Sequence, residues 1–248
     1  MANAYLSVFD QTHEKIWLNR VVQLVNTMNE KFWDKEQFGY NMTNDNKYLN
    51  TRYKESYDGA IPSANGIAYQ VLVKLNNRTT KQSFIQRAGQ LLSAFSTDIN
   101  QDPYSYSSFI LGVNNAIFTE MANVQYAYQG RIRVHTQTLK DNEISINLEL
   151  NPLWHINSNQ PLQDSLIATE ITNLDTQNWT IENSTYPQGE LAKLGFSKDQ
   201  ISIYKDQAKI GLKLKQHSKT YMTPTLLLTL QACSDKVCLP PTTMTLKP

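Results

Sequence analysis

Residues Ile144-Ser-Ile-Asn-Leu-Glu-Leu150 place an apolar side chain at every second position. Successive side chains of a β-strand point to opposite faces, so this alternation predicts a strand with one buried face. The same alternation occurs at residues 132–134 and 208–214, and an apolar run follows at residues 225–230. Because short, turn-rich connections separate these segments, they predict an antiparallel sandwich of two sheets.

The chain upstream of these segments has the period of helices instead. Across residues 12–32 the large apolar side chains recur at helical spacing, which predicts one amphipathic helix. A second helix is predicted after Ser63, whose hydroxyl is a good N-cap, and two more across residues 84–95 and 106–121. Four helices therefore make the first half all-α.

The change of period near Gly130 predicts two domains. We expect an α-helical domain at residues 1–125 and a β-sandwich at residues 130–248, with the linker between Asn123 and Gly130. A length of 248 residues also favours two domains over one.

Composition restricts the classes of function. Hydrophobic residues make up 40% of the chain, which indicates a globular protein with a core. A formal net charge of +1, with no dense basic run, argues against nucleic acid as a partner. No apolar run approaches the roughly 18 residues of a membrane span. The first residues lack the features of a secretory signal, as they would in a mature fragment.

The two cysteines of the chain, Cys233 and Cys238, lie in the stretch Gln231-Ala-Cys-Ser-Asp-Lys-Val-Cys-Leu-Pro-Pro241. The polar residues between them and the two prolines after them indicate a turn. The pair is consistent with a local disulfide or redox pair, with two inert buried thiols, or with half of a metal site. No histidine lies close enough in sequence to complete a common zinc spacing, so we expect no metal and no cofactor.

Three motifs in the second half occur in a specific order. They are Pro152-Leu-Trp-His-Ile-Asn157, then Ile203-Tyr-Lys-Asp206 as the opening of a strand, then the cysteine stretch. Together they resemble the N-terminal domain of the DsbD thiol:disulfide interchange family. The resemblance implies an immunoglobulin-like sandwich in which Cys233 and Cys238 are the redox pair. It also implies a periplasmic or otherwise extracytoplasmic location, a role connected with cytochrome c biogenesis, and a thioredoxin-like protein or membrane-embedded electron donor as partner.

The same resemblance implies a loop whose aromatic side chain shields the disulfide. Phe196 is the nearest match by position, and Tyr204 is its rival. His155 follows a strand, and we expect a structural role for it, although it could also flank a site.

The first half resembles another family. Three segments carry the resemblance: residues 32–40, Arg52-Tyr-Lys54 and the stretch Tyr57-Asp-Gly-Ala-Ile-Pro-Ser-Ala-Asn65. They are similar to the end of the α/α toroid of YyaL-like proteins, in which a thioredoxin-like domain precedes the toroid. Four helices are too few for a complete toroid, which suggests the tail of a longer protein. The resemblance makes Asp34, Arg52 and Asp58 site candidates, although an Asp before Gly is more often a turn residue.

The sequence therefore predicts a partial α/α toroid followed by an immunoglobulin-like antiparallel sandwich that exchanges disulfides and so could act as an oxidoreductase. Two alternatives stay open: a non-catalytic binding or scaffold module with a structural disulfide, and a remnant of a sugar-processing enzyme. Apolar surface left by the absent helices also predicts either self-association through the helical half or close packing of that half on the sandwich.

Overall fold

The structure is a computed structural model that describes residues 1–44, 51–118, 120, 122–140, 142–195, 199–217 and 223–248. The chain forms two compact units, Met1–Glu120 and Met121–Pro248. The first unit is helical and the second is made of antiparallel strands, so the predicted order of an all-α half and an all-β antiparallel half is confirmed.

The helical unit contains five α-helices among its described residues. They are α1 (Ala2–Thr12), α2 (Lys15–Lys31), α3 (Ala64–Arg78), α4 (Ser83–Gln101) and α5 (Ser107–Phe118), with a short 3-10 helix at Pro103–Tyr106. Four helices were expected from the sequence, and α1 was not among them. The first expected helix was placed three residues too early, because His13 adopts a left-handed conformation with φ of 57° and ends α1 there.

All five helices bury apolar side chains in a common core, and α3 is buried on nearly all of its sides. The hydroxyl of Ser63 accepts a hydrogen bond from the backbone N–H of Gly66, so the predicted N-cap of α3 is present. Fully buried side chains of this core come from α1 to α5 and include Leu6, Val21, Leu72, Leu91 and Phe109.

The second unit contains twelve strands among its described residues. They are β1 (Val124–Ala127), β2 (Ile132–Thr138), β3 (Glu143–Leu150), β4 (His155–Asn157), β5 (Glu170–Asn173), β6 (Trp179–Thr185), β7 (Glu190–Ala192), β8 (Ile201–Lys205), β9 (Gln207–Gln216), β10 (Leu226–Leu230), β11 (Ala232–Cys233) and β12 (Thr242–Leu246).

The strands form three antiparallel sheets around one core. Their orders are β1-β2-β3-β9-β6, β12-β10-β5 and β11-β4-β8-β7. In β9 the apolar residues from Ala208 to Leu214 are buried, while Lys209, Lys213 and Lys215 point outward. Buried side chains from all three sheets meet in a single apolar cluster, as expected for a sandwich.

Two boundaries differ from the sequence analysis. The segment predicted as a linker holds β1, which pairs with β2 through a turn in which Tyr128, Gln129 and Gly130 all have positive φ. All four residues of β1 are buried, so it lacks the alternation that marks a half-exposed strand. The motif at residues 203–206 closes β8 rather than opening a strand, because the chain turns at Asp206, whose φ is 54°.

Within the described part of the chain, no helix has the length and apolar character needed to cross a membrane.

Candidate functional site

Cys233 and Cys238 form a disulfide at the end of a tight hairpin. They face each other as an antiparallel bridge, and their Cα atoms are 4.0 Å apart. The N–H of Leu239 donates to the carbonyl of Ala232, and the N–H of Ser234 donates to the carbonyl of Val237. These bonds lie on either side of the cysteine pair, so the cysteines occupy the non-hydrogen-bonded position, where opposing side chains are closest.

Local hydrogen bonds explain why these residues turn here. The Ser234 hydroxyl accepts from the backbone N–H groups of Lys236 and Val237, which is a typical serine turn. The side chain of Gln231 spans the base of the hairpin: its amide donates to the carbonyl of Leu239, and its oxygen accepts from the side chain of Asn157. The hairpin is therefore fixed at both ends.

Tyr128 braces the same hairpin from the turn after β1. Its hydroxyl lies 2.8 Å from the carbonyl oxygen of Pro240 and accepts a hydrogen bond from the N–H of Ala232 at 3.4 Å. Tyr128 was not among the site residues expected from the sequence, because more than 100 residues separate it from the cysteines. Gln231 lies inside the cysteine stretch, but its contacts with Leu239 and Asn157 are not visible in the sequence.

The hairpin lies at the edge of a sheet, since β11 is the first strand in the order β11-β4-β8-β7. The two cysteines differ in burial: Cys233 is fully buried, whereas Cys238 is partly exposed. One sulfur of the pair is thus closer to solvent than the other.

A row of polar side chains continues from the disulfide across the sheet. His155 of β4 is the register partner of Cys233 on one side and of Lys205 of β8 on the other. Register partners project from the same face, with Cβ atoms roughly 4.5–5.5 Å apart. Ile156, Tyr204 and Ala232 form the next row, which faces the sandwich core. Cys233, His155 and Lys205 therefore share the outer face of this sheet.

His155 is buried to 2% exposure, and its Nε2 has no hydrogen-bond partner among the described residues. Burial lowers the pKa of the imidazole below its ordinary value. The carboxylate of Asp235 opposes this shift, and the ammonium of Lys205 adds to it. The ring is therefore neutral at neutral pH, with one nitrogen available for a proton or a hydrogen bond.

The residues that directly follow β7 pack against the outer face of the sheet. Leu194 packs there with Ile201 and Ile203 in a small apolar cluster. A Cβ built at Gly195 would lie 3.1 Å from the backbone oxygen of Asp235, so the loop runs close to the cysteine hairpin. Phe196, the first cap candidate, lies outside the described residues.

Tyr204, the second cap candidate, is placed differently from the expectation. Its side chain is 3% exposed and belongs to the main core, and its hydroxyl donates to Asn159. It projects from the opposite face of the sheet to Cys233, as its pairing with Ile156 shows. This placement does not support a capping role for Tyr204.

The toroid candidates in the helical unit have structural partners. One carboxylate oxygen of Asp58 accepts from the N–H of Ser63, and the other accepts from the N–H of Ser108. Burial tends to raise the pKa of Asp58, but these hydrogen bonds outweigh it and hold the pKa below its usual value. Asn65, from the same motif, binds backbone groups of Tyr40 and Glu55. The motif thus organises helix starts and loops.

Asp34 is held by an ion pair with Lys54 at 2.9 Å and accepts the backbone N–H groups of Glu36 and Gln37. The Lys54 hydrogen bond, followed by that of Gln37, lowers the pKa of Asp34 to about 2. A general acid needs a raised pKa, and so neither aspartate is suited to that role. Arg52 is partly buried.

Comparison with known proteins gives the family. A family model described as thiol:disulfide interchange protein DsbD, N-terminal, matches residues 120–248, which is more than half of the chain and includes the whole cysteine hairpin. Spermatogenesis-associated protein 20 from Homo sapiens and that from Mus musculus are each 28% identical to the chain over 107 residues. Those residues are 42% of this chain and 14% of each relative, so the chain spans about a seventh of their length.

Solved structures with some likeness include the DsbD N-terminal domain of Neisseria meningitidis in the reduced form, with a TM-score of 0.34, 15% identity, and coverage of 48% of this chain and 84% of that chain. The N-terminal periplasmic domain of ScsB from Proteus mirabilis has a TM-score of 0.31, 21% identity, and coverage of 47% of this chain and 45% of that chain. These scores are too low to add weight to the match of the family model. On that match, the chain belongs to the family of the N-terminal region of the thiol:disulfide interchange protein DsbD.

Proposed function

We propose that this chain exchanges electrons with a thioredoxin-like protein through Cys233 and Cys238. The observation that carries the proposal is the disulfide in an edge hairpin with one buried and one partly exposed cysteine. Membership of the DsbD family supports the same chemistry. A membrane-embedded electron donor and an extracytoplasmic location belong to the same proposal.

Cys238 is the sulfur that a partner attacks first. A thiolate of the reduced partner forms a bond to Sγ of Cys238, the bond between the two cysteines breaks, and Cys233 leaves with the electron pair. A second thiolate of the partner then displaces Cys238. The partner ends as a disulfide, and Cys233 and Cys238 end as thiols after taking up two protons.

Chain packed beside the hairpin supports exchange with a protein partner rather than with small oxidants. The loop at Leu194 and Gly195 runs against the hairpin and leads into Phe196, our proposed cap.

The order of attack can be tested with single-cysteine variants. The probe is a thioredoxin whose nucleophilic cysteine carries a thionitrobenzoate group and whose second cysteine is replaced by serine. We expect Cys233→Ser, which keeps Cys238, to form the mixed disulfide at least about tenfold faster than Cys238→Ser, because access controls thiol reactivity. Non-reducing gel electrophoresis follows the product, and circular dichroism checks that both variants fold.

Equal rates for the two variants would contradict the assignment of Cys238. Failure of reduced thioredoxin to reduce the wild-type disulfide would contradict exchange itself. The rival is a structural disulfide in a binding or scaffold module. Structural disulfides have midpoint potentials below roughly −300 mV, so a redox titration in thiol buffers separates the two. A bridge across so short a loop adds little to the stability of the fold. Stability alone therefore gives little reason for a purely structural disulfide.

A further inference from the structure

The second step of exchange places a demand on Cys233. When reduced protein attacks an oxidised partner through Cys238, a mixed disulfide forms, and Cys233 must then attack Sγ of Cys238 to release the partner. Only a thiolate is an effective nucleophile, and burial raises the pKa of a thiol. Cys233 is fully buried, so this step requires a nearby group that takes the proton of its thiol.

His155 has the properties of such a group. It is the direct register partner of Cys233 and projects from the same face of the sheet. It is buried, and its Nε2 has no hydrogen-bond partner among the described residues. A buried nitrogen without a partner costs free energy, and a role in proton transfer explains why the site retains it.

The other charged groups that face His155 do not fit this role. Lys205, its register partner on β8, is a cation and forms an ion pair with Glu190 of β7 at 3.1 Å. Asp235, in the hairpin turn, is exposed, and so is its neighbour Lys236. A solvated carboxylate is too weak a base to deprotonate a buried thiol efficiently.

We propose that His155 is the general base that activates Cys233 in the resolving step, an inference that rests on the exchange function proposed above. Nε2 takes the proton of the Cys233 thiol, and the resulting thiolate bonds to Sγ of Cys238. The bond between Cys238 and the partner sulfur breaks, and the partner leaves as a thiolate with that electron pair. The imidazolium then returns its proton to the departing thiolate or to water.

One equivalent of dithiobis(nitrobenzoate) tests this step on the reduced full chain. Attack by Cys238 releases the first thionitrobenzoate, and attack by Cys233 on the resulting mixed disulfide releases the second. The second phase is intramolecular, so its rate isolates the resolving step. Both releases are read from the absorbance of thionitrobenzoate.

We expect His155→Gln to slow the second phase about a hundredfold at neutral pH, because glutamine occupies similar space but cannot accept a proton. Its first phase should match that of the wild type. The matched control is His217→Gln, since His217 is exposed at the end of β9 and contacts Thr180. His155→Gln should also change the pH dependence of the second phase to a steady rise with pH, as expected for an unassisted thiol.

The wild-type protein provides a second measurement that does not depend on the variant folding. With a neutral imidazole as base, the rate of its second phase should be level at neutral pH and fall only in acid, below the ordinary imidazole pKa of about 6.5. A rate that rises steadily from acid to alkaline pH would overturn the proposal, as would a His155→Gln variant with the wild-type second phase. A wild-type protein with no second phase would instead contradict the exchange function itself.

Discussion

At the scale of single residues, the Tyr128 hydroxyl connects the turn after β1 to the base of the cysteine hairpin. It donates to the carbonyl of Pro240 and accepts from the N–H of Ala232, the residue before Cys233. Removal of the hydroxyl leaves both backbone groups without this partner. The position of the disulfide therefore depends on a residue far away in sequence.

We predict that Tyr128→Phe loosens the hairpin, at a cost of about 1 kcal/mol for the lost hydrogen bonding. Amide hydrogen exchange at residues 231–239, followed by mass spectrometry, should be faster than in the wild type. Tyr104→Phe is the matched control, because the Tyr104 side chain is 92% exposed. Unchanged exchange in Tyr128→Phe would show that the hydroxyl does not brace the hairpin.

At the scale of secondary-structure elements, Asp58 joins the starts of two helices. Its two carboxylate oxygens accept from Ser63, the N-cap of α3, and from Ser108 in the first turn of α5. Negative charge is favourable at a helix N-terminus, and here one carboxylate serves two of them. The same residue was a catalytic candidate in the sequence, where these two contacts are invisible.

Asp58→Asn should destabilise the helical unit by about 1–2 kcal/mol, because an amide has one acceptor oxygen and would turn its NH₂ group toward the second N–H. Urea unfolding followed by helical circular dichroism measures the loss, with the exposed Asp98→Asn as control. Since folding lowers the pKa of Asp58, its contribution is present above an unfolded pKa of about 3.9 and is lost as the pH falls further. The difference between the variant and the wild type should therefore shrink in acid.

At the scale of the whole molecule, the helical unit keeps an exposed apolar side on α5. Ile110, Leu111, Ile117 and Phe118 are each between 42% and 65% exposed, and their spacing places them along one side of the helix. This surface is consistent with self-association, as the sequence analysis predicted for an incomplete toroid. Contiguous apolar surface of this kind is unusual in monomeric proteins.

We predict that the mass measured by light scattering rises with protein concentration and that Leu111→Glu lowers this rise. Leu174→Glu is the matched control, because Leu111 and Leu174 are 52% and 53% exposed and only the first lies on α5. A wild-type protein that stays monomeric at all concentrations would contradict self-association.

The sequence alone determined the elements whose residues carry a strong period. Apolar residues alternate in β3 and β9 and recur at helical spacing in α2 and α4. Each of these elements has one buried face, so its apolar residues follow the period of the element and can be recognised in the sequence. It also determined the cysteine hairpin, because the turn residues lie between the two cysteines. The family could be recognised from short sequence motifs, which are visible without any structure.

Only the tertiary structure decided what depends on pairing between distant segments. β1 is buried along its whole length and α1 is short, so neither has a clear period. The environment of Cys233 comes from β4, β8 and the turn at Tyr128, which lie 28 or more residues away in the chain. Strand register placed His155 beside the disulfide and turned Tyr204 toward the core. Register follows from the packing of whole sheets, and no single stretch of sequence contains it.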